Sequence, residues 1–585
     1  MRKILPHVAS LFSSYLAFVV AAALAGTQPT AAGVLLLVAT TGGVAAEAIL
    51  WRRPTVWTAL RRISTDSTLR AGLRDLMLVA FAAAAHNRRP ELLDVAVPVL
   101  VTVWALRTVV ILLQRNNVAR RSLPVAWRNL EVRGVRQTGP IGPGAFSDAA
   151  GWPSSGSLPL ALGLGASAVT AKAEWSSVGA LLSVALAGAV AVLTLVDTLR
   201  AQRDTSAEGA VEALARALAV HAPTVILYYS RPERIGYIAN VWVHTLEQLP
   251  HRVAVVVREH HNADLLATDT LPVVTITRAT DLERVIPPSV QLALYPSNVA
   301  NNNHLLRLPG IFDVFVGHGD SDKGGSATTL TRAYDEAWVS GPAARDRYHV
   351  ADVGVRDEQI REVGRPQLAE IVAQATQHPA AADEADWDYT VLYAPTREGF
   401  FAAWEYSSIL TQAAGILTSL LGMPGVRVLF KPHPGTGTDD RVYGEEVDRL
   451  KELVVAAGAP HEVVTGSEGL YHAFNRADLL VSDVSSVITD FLASGKPYVV
   501  TNSGDLGDAE FRQQFPSAGG AYILTGDGTD VARLVGEART KESMRRARTR
   551  TAAYLLGRTD DPLGQFSQAI DTVLTAQRAA AASRT

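Results

Sequence analysis

A chain of 585 residues is long enough to hold several domains, each with its own core. Its formal net charge of -3 excludes a dominant nucleic-acid surface, because polyanion binders carry a concentrated basic excess. It has no cysteine, which removes disulfides, thiolate metal sites and a thiol nucleophile from any mechanism.

The first third alternates long apolar runs with arginine-rich connectors. The runs fall at 4–25, 32–50, 76–85, 95–113, 158–171 and 178–196, and several approach the roughly 20 residues needed to cross a bilayer. We therefore expect a polytopic, all-α transmembrane domain of about six helices over 1–203. Arg52, Arg53, Arg61, Arg62, Arg70 and Arg74 crowd the second connector, and Arg115, Arg120, Arg121, Arg128, Arg133 and Arg136 crowd the fourth. Basic residues are retained on the cytoplasmic side, so both connectors, both termini and the remainder of the chain are expected there, at the cell membrane; Arg88 and Arg89 run against this pattern. The arginines of the fourth connector could also meet anionic lipid headgroups.

Beyond residue 204 the pattern changes. A helix over 207–221 is followed by short β-rich runs at 224–229, 252–257, 273–276, 292–295 and 312–316, separated by polar or helical connectors. A second series follows at 389–393, 426–430, 462–464, 479–481 and 498–500. Buried strands alternating with helices mark parallel α/β sheets. The expected architecture is α/β with two Rossmann-like domains, 204–370 and 371–585, a hinge near 361–388 and a cleft between the sheets.

Chemistry-bearing residues collect where strands end, the place at which open α/β sheets bind ligands. The most informative stretch is Ser482-Asp483-Val484-Ser485-Ser486, which reads as a polar turn between a strand and a helix; Ser485 or Ser486 can cap that helix, and its free N–H groups suit a diphosphate. Phe315-Val316-Gly317-His318-Gly319 exposes His318 among glycines, and Lys431-Pro432-His433-Pro434 presents Lys431 and His433 on a loop stiffened by two prolines. With Ala394-Pro395-Thr396-Arg397, these loops describe an anion site facing a cleft.

The order His318-Gly319…Lys323, Tyr393-Ala394-Pro395-Thr396, Lys431-Pro432-His433-Pro434, then 482–491 and Lys496-Pro497 resembles the CDP-glycerol glycerophosphotransferase family, which makes and extends wall teichoic acids. The resemblance covers roughly 222–570 and does not cover the apolar third. It implies a GT-B fold and a transferase of the 2.7.8 type, which moves an alditol phosphate from CDP-glycerol or a related CDP-alditol to a hydroxyl of a lipid-linked or polymeric cell-wall acceptor; the expectation that it is membrane-bound comes from the apolar runs, which depart from the mostly peripheral family. CMP is released. His318 becomes the candidate base and His433 a second catalytic group, with Lys323, Thr396, Arg397, Lys431, Ser482, Asp483, Ser485, Ser486 and Asp490 as candidate substrate-binding residues. Asp490 is expected to orient a serine or the donor's hydroxyls.

Two departures stand out. Where the family reads His-Gly-Thr-Pro-Leu-Lys, this chain has Asp320-Ser321-Asp322 between the glycine and Lys323, and the segment around Arg397 is one residue shorter than the common pattern. The acidic pair would favour the imidazolium form of His318 and raise its pKa. No cofactor is expected, and a divalent metal only if Asp320 and Asp322 act as a clamp. Two other readings keep the same loops: a GT-B glycosyltransferase using a nucleotide sugar for a cell-surface polysaccharide, and a non-catalytic membrane scaffold that binds nucleotide or polymer.

Overall fold

The computed structural model describes residues 5–51, 67–139, 156–322, 327–371, 387–399, 406–465, 469–504 and 506–583. They fall into two units, one of Met1–Leu123 with Gly134–Ala210 and one of Pro124–Arg133 with Val211–Thr585.

The first unit has six helices among its described residues, Leu5–Leu24, Pro29–Trp51, Ser67–Ala85, Pro90–Arg121, Leu158–Thr170 and Glu174–Ala201. Three stretches, Pro29–Ala48, Pro90–Arg121 and Glu174–Ala201, are long and apolar enough to cross a membrane, while Phe12–Leu24 and Leu158–Thr170 are shorter apolar helices. The expected six spans thus reduce to six helices of which three have that length and composition. The Ser67–Ala85 helix differs because Arg70, Arg74 and Asp75 occupy its first half. Buried Asp75 accepts hydrogen bonds from Trp104 Nε1 at 2.8 Å and from the Ser157 hydroxyl, and pairs with Arg107 at 2.9 Å. A buried carboxylate needs that compensation. Gly163 is required by close packing: a Cβ there would stand 2.4 Å from the Trp175 carbonyl oxygen and 2.9 Å from the Gly179 Cα. Arg52, Arg53, Arg61 and Arg62, and most of the Gly- and Pro-rich part of the fourth connector, lie outside the described residues.

The second unit holds two sheets. The first runs β1 (Val125–Arg128), β2 (Val225–Tyr229), β3 (Val253–Val257), β4 (Val273–Ile276), β5 (Leu292–Tyr295), β6 (Phe312–Phe315), β7 (Glu336–Val339) and β8 (Ile360–Glu362). Its spatial order is β1-β4-β3-β2-β5-β6-β7-β8, parallel throughout except for β1 against β4. The second sheet comprises β9 (Tyr389–Ala394), β10 (Val426–Phe430), β11 (Glu462–Val463), β12 (Leu479–Ser482), β13 (Tyr498–Thr501) and β14 (Tyr522–Leu524), all parallel in the order β11-β10-β9-β12-β13-β14. The first parallel strand of each sheet, β2 and β9, is central, and from it the chain winds outward in one direction and then the other. The switch points fall between β2 and β5 and between β9 and β12, where such sheets leave a crevice at their carboxyl ends.

Strands covered on both faces must be apolar at every position, and β2, β3 and β12 are buried along their whole length. One consequence of the topology was not expected from sequence. The helix Pro562–Ala582, placed with the second Rossmann-like domain when the chain is read in order, buries Phe566, Ile570, Val573 and Leu574 in the core of the first sheet. Phe566 lies 5.3 Å from the Trp242 ring and 5.4 Å from Trp338. The apolar periodicity that marks this segment as a helix says nothing about which sheet it covers. Most of the expected hinge, 372–386, lies outside the described residues, and residues 360–362 are strand β8.

Candidate functional site

Four strand ends converge on the site. After β6, Gly317 takes a positive φ of 60° and its carbonyl accepts a hydrogen bond from Trp242 Nε1 at 2.5 Å, which fixes the turn that carries His318. The His318 imidazole is open to solvent but surrounded by protein mass. That desolvation lowers its pKa to about 4; Arg231 and Arg365 also lower it, and a hydrogen bond to the Pro296 carbonyl works the other way. The direction is opposite to that expected from Asp320 and Asp322, because neither carboxylate faces the imidazole. Asp320 pairs with Arg347 and accepts from Ser340, and Asp322 accepts the Ser517 N–H at 2.6 Å. The two carboxylates weighed as a metal clamp are engaged by protein donors, and among the described residues no group of three or more His, Asp or Glu side chains is arranged to hold a metal. Lys323 lies outside the described residues.

After β10, Lys431 and His433 take their places. Lys431 is buried, and desolvation lowers its pKa. His433 Nδ1 accepts the Gly435 N–H at 2.9 Å, so in the neutral ring the proton sits on Nε2. This leaves His433 as a donor on its outer edge. The loop beyond it is held by Glu398, whose carboxylate accepts the N–H groups of Gly437 at 3.0 Å and Asp439 at 3.2 Å. Glu398 is a positioning residue that sequence does not single out; its place next to the Thr396-Arg397 pair is the only signal.

At the β9/β12 switch point Asp483 is buried and acts as a clasp. It accepts from the Thr396 N–H at 2.7 Å, the Ser408 N–H at 3.2 Å and the Thr501 hydroxyl at 2.6 Å. Burial raises its pKa and these hydrogen bonds oppose the rise. The Ser482 hydroxyl donates to the Ala394 carbonyl at 2.6 Å, tying β12 to β9. Both residues therefore shape the site from behind. Thr396 contributes its backbone to the clasp, and Arg397 pairs with Asp439.

Ser485 and Ser486 lead into the six-residue helix Ser486–Phe491. The Ser485 hydroxyl is buried and has no hydrogen-bond partner among the described residues. Ser486 Oγ stands 3.0 Å from where a Cβ would lie on Gly319, so the His318 loop of the first sheet and the serine turn of the second come into close approach. Asp490 does not orient a serine. It pairs with Arg365 at 2.6 Å and accepts the Tyr471 hydroxyl at 3.0 Å. Burial works to lower the Arg365 pKa, but the Asp490 carboxylate prevails and holds the guanidinium protonated.

Tyr237, at the start of the helix Tyr237–Glu247, completes the site. Its ring centroid lies 6.1 Å from that of His318 and 5.5 Å from that of His433, edge-to-face with both. Sequence gives no hint of this, since Tyr237 is remote from both histidines along the chain.

Residues 324–506 match the model of the CDP-glycerol:poly(glycerophosphate) glycerophosphotransferase family. The matched stretch includes Thr396, Lys431, His433 and the serine turn, and begins just after His318 and Lys323. No curated protein matches the chain. Among solved structures, the wall teichoic acid polymerase TagF is similar at 12% identity, with 66% of this chain and 97% of that chain covered and a TM-score of 0.42. The S. aureus MnaA-UDP complex is similar at 12% identity, covering 60% and 97%, with a TM-score of 0.40. Anabaena HepE with UDP and glucose is similar at 13%, covering 60% and 100%, with a TM-score of 0.36.

Proposed function

We propose, on the match of residues 324–506 to the glycerophosphotransferase family model, that the chain is a CDP-glycerol glycerophosphotransferase-like enzyme that transfers glycerol phosphate, or a similar alditol phosphate, from the CDP-activated donor to a hydroxyl of a lipid-linked or polymeric cell-wall acceptor. The two sheets are read as a GT-B pair, with the second holding the donor. The acceptor oxygen attacks the β-phosphorus, the bond from that phosphorus to the bridging oxygen breaks, and its electron pair leaves with CMP. The acceptor's proton passes to His318.

The observation that carries the assignment of roles is the hydrogen-bond polarity of the two histidines. His433, with Nδ1 occupied by the Gly435 N–H, offers a proton from Nε2 to the diphosphate, whose charge grows on the leaving oxygen. His318 is neutral near pH 7; one nitrogen donates to the Pro296 carbonyl, which leaves the other a lone pair for the acceptor hydroxyl. Lys431 supplies charge to the donor, and the Ser485 and Ser486 hydroxyls are the groups best placed to reach its nonbridging oxygens. No metal or other cofactor is invoked.

The helices of the first unit are read as a multi-pass membrane anchor, with the catalytic unit on the cytoplasmic side. Their length and composition and the arginine-rich connectors support this. Incubating membranes that contain the protein with labelled CDP-glycerol, CDP-ribitol and UDP-sugars tests the function. CMP release with label entering an acceptor is expected; UDP release, or binding without turnover, would replace the reading.

A further inference from the structure

Tyr237 stands where the two catalytic candidates meet. The imidazoles come from different sheets, His318 after β6 and His433 after β10, and each packs at a steep angle, 71° and 87°, against the same phenol ring. The backbone beneath that ring is held firmly. The buried Asn262 side chain accepts the Ile235 N–H at 3.0 Å and donates to the Arg231 carbonyl at 2.8 Å, while the Tyr229 hydroxyl donates to the Ile235 carbonyl. Gly236, immediately before Tyr237, sits so close to Leu265 that a Cβ would lie 2.6 Å from the leucine Cβ. Further along the same helix, Trp242 grips the Gly317 carbonyl beside His318. One rigid helix thus presents an aromatic ring to both histidines and anchors the loop of one.

We propose that Tyr237 is a positioning residue for both histidines, an aromatic spacer that fixes their separation and their relative orientation. The proposal rests on the transfer reaction set out above and adds a residue to it. A base on the acceptor and a hydrogen-bond donor on the leaving group must act on one phosphorus at the same time, and a misplacement of about 1 Å can cost on the order of a hundredfold in rate. Loops on separate sheets do not hold such a spacing unaided. The ring does so without charge, and edge-to-face packing gives it a preferred geometry. The hydroxyl is not required by this role.

The surroundings make the role measurable. His318 faces Tyr237, Arg231, Arg365 and the Pro296 carbonyl, with Ser486 close to its neighbour Gly319; Asp320 is next but one in sequence, its carboxylate turned to Arg347. His433 faces Tyr237 and the Gly435 N–H. Replacing the ring with an aliphatic side chain changes the protein mass packed around His318 and so eases the desolvation that depresses its pKa.

The experiment uses full-length protein in detergent, carbon-13 labelled at histidine, as wild type, Tyr237→Phe and Tyr237→Leu. In Tyr237→Leu the resonances of both His318 and His433, assigned by His318→Ala and His433→Ala, should move, and the His318 titration should rise from about pH 4 towards the ordinary value. Tyr237→Phe should resemble wild type. Turnover should fall about ten- to a hundredfold in Tyr237→Leu, with the KM for CDP-glycerol within about threefold, and Tyr237→Phe should restore it. If Tyr237→Leu does not fold, Tyr237→Met makes the same comparison. Unmoved resonances, a response in only one histidine, or a Phe variant as damaged as the Leu variant would each overturn the proposal. If the wild type releases no CMP from CDP-glycerol, the reaction assignment fails, and the resonances still decide the role of Tyr237.

Discussion

His318 and His433 are the same side chain with opposite hydrogen-bond polarity, and their substitutions should separate accordingly. His318→Ala should lower turnover by about two to four orders of magnitude with donor affinity nearly intact, because a general base acts only in the transition state. His433→Ala should weaken both, since a group touching the diphosphate acts before and during transfer. With a His318 pKa of about 4, its conjugate acid forms only in acid: kcat/KM should be flat through pH 6 to 8 and fall below pH 5. A limb near 6.5 that persists in His318→Ala would point to another base, and one lost in that variant would show that His318 keeps its ordinary pKa. Asp320→Asn should leave the limb in place, because that carboxylate is taken up by Arg347 and Ser340. Ser485 offers a different contrast. Its hydroxyl is buried without a partner among the described residues, so Ser485→Ala should leave the melting temperature unchanged or raise it, yet cost donor affinity about 1 to 3 kcal/mol in a calorimetric titration if the hydroxyl meets a charged oxygen.

Among the elements, the Arg365–Asp490 pair joins the segment after β8 to the helix that follows the serine turn. Arg365→Ala leaves a buried carboxylate without its cation and should cost about 3 to 5 kcal/mol in denaturant unfolding, whereas a combined Arg365→Met and Asp490→Leu change should cost far less. Equal losses would show that the pair does not act as a unit. Asp490 also illustrates the boundary of what sequence reveals. The central strands were legible because burial on both faces demands continuous apolar runs, as in β2 and β12, and the site loops were legible because they follow such strands. β1 was not: Val125–Arg128 is short and ends in arginine, and only β4 beside it makes it a strand. β7, β8 and β14 escaped as well, being only three or four residues long, too short for a pattern to show. Within the candidate site, the placement of His318, Lys431 and His433 at strand ends was readable, but the partners of Asp320, Asp483 and Asp490 were not. Those are set by residues brought near through the fold, and an isolated carboxylate looks the same whether it faces a ligand or a guanidinium.

On the scale of the whole molecule, the helical unit and the α/β unit make separate demands. On the proposed orientation, with the arginine-rich connectors inside, a reporter after Thr585 and another inserted at Gln137 should both give a cytoplasmic signal; an external signal at either position would reverse the orientation. Stability of the α/β unit should depend on residues far from the site. Phe566→Ala removes a fully buried ring from between Trp242 and Trp338 and should cost about 3 to 5 kcal/mol, measured by unfolding while the detergent is held constant.

The return of Pro562–Ala582 to the first sheet also sets a timetable for biosynthesis. The strands of that sheet leave the ribosome hundreds of residues before the helix that covers them, so the apolar strip awaiting Phe566, Ile570 and Leu574 stays bare while the whole second sheet is being made. Folding cannot be completed domain by domain in chain order; residues translated after the whole second sheet close the first. A chain broken off by a late stop codon would carry every residue of the site and still expose that strip to chaperones and proteases.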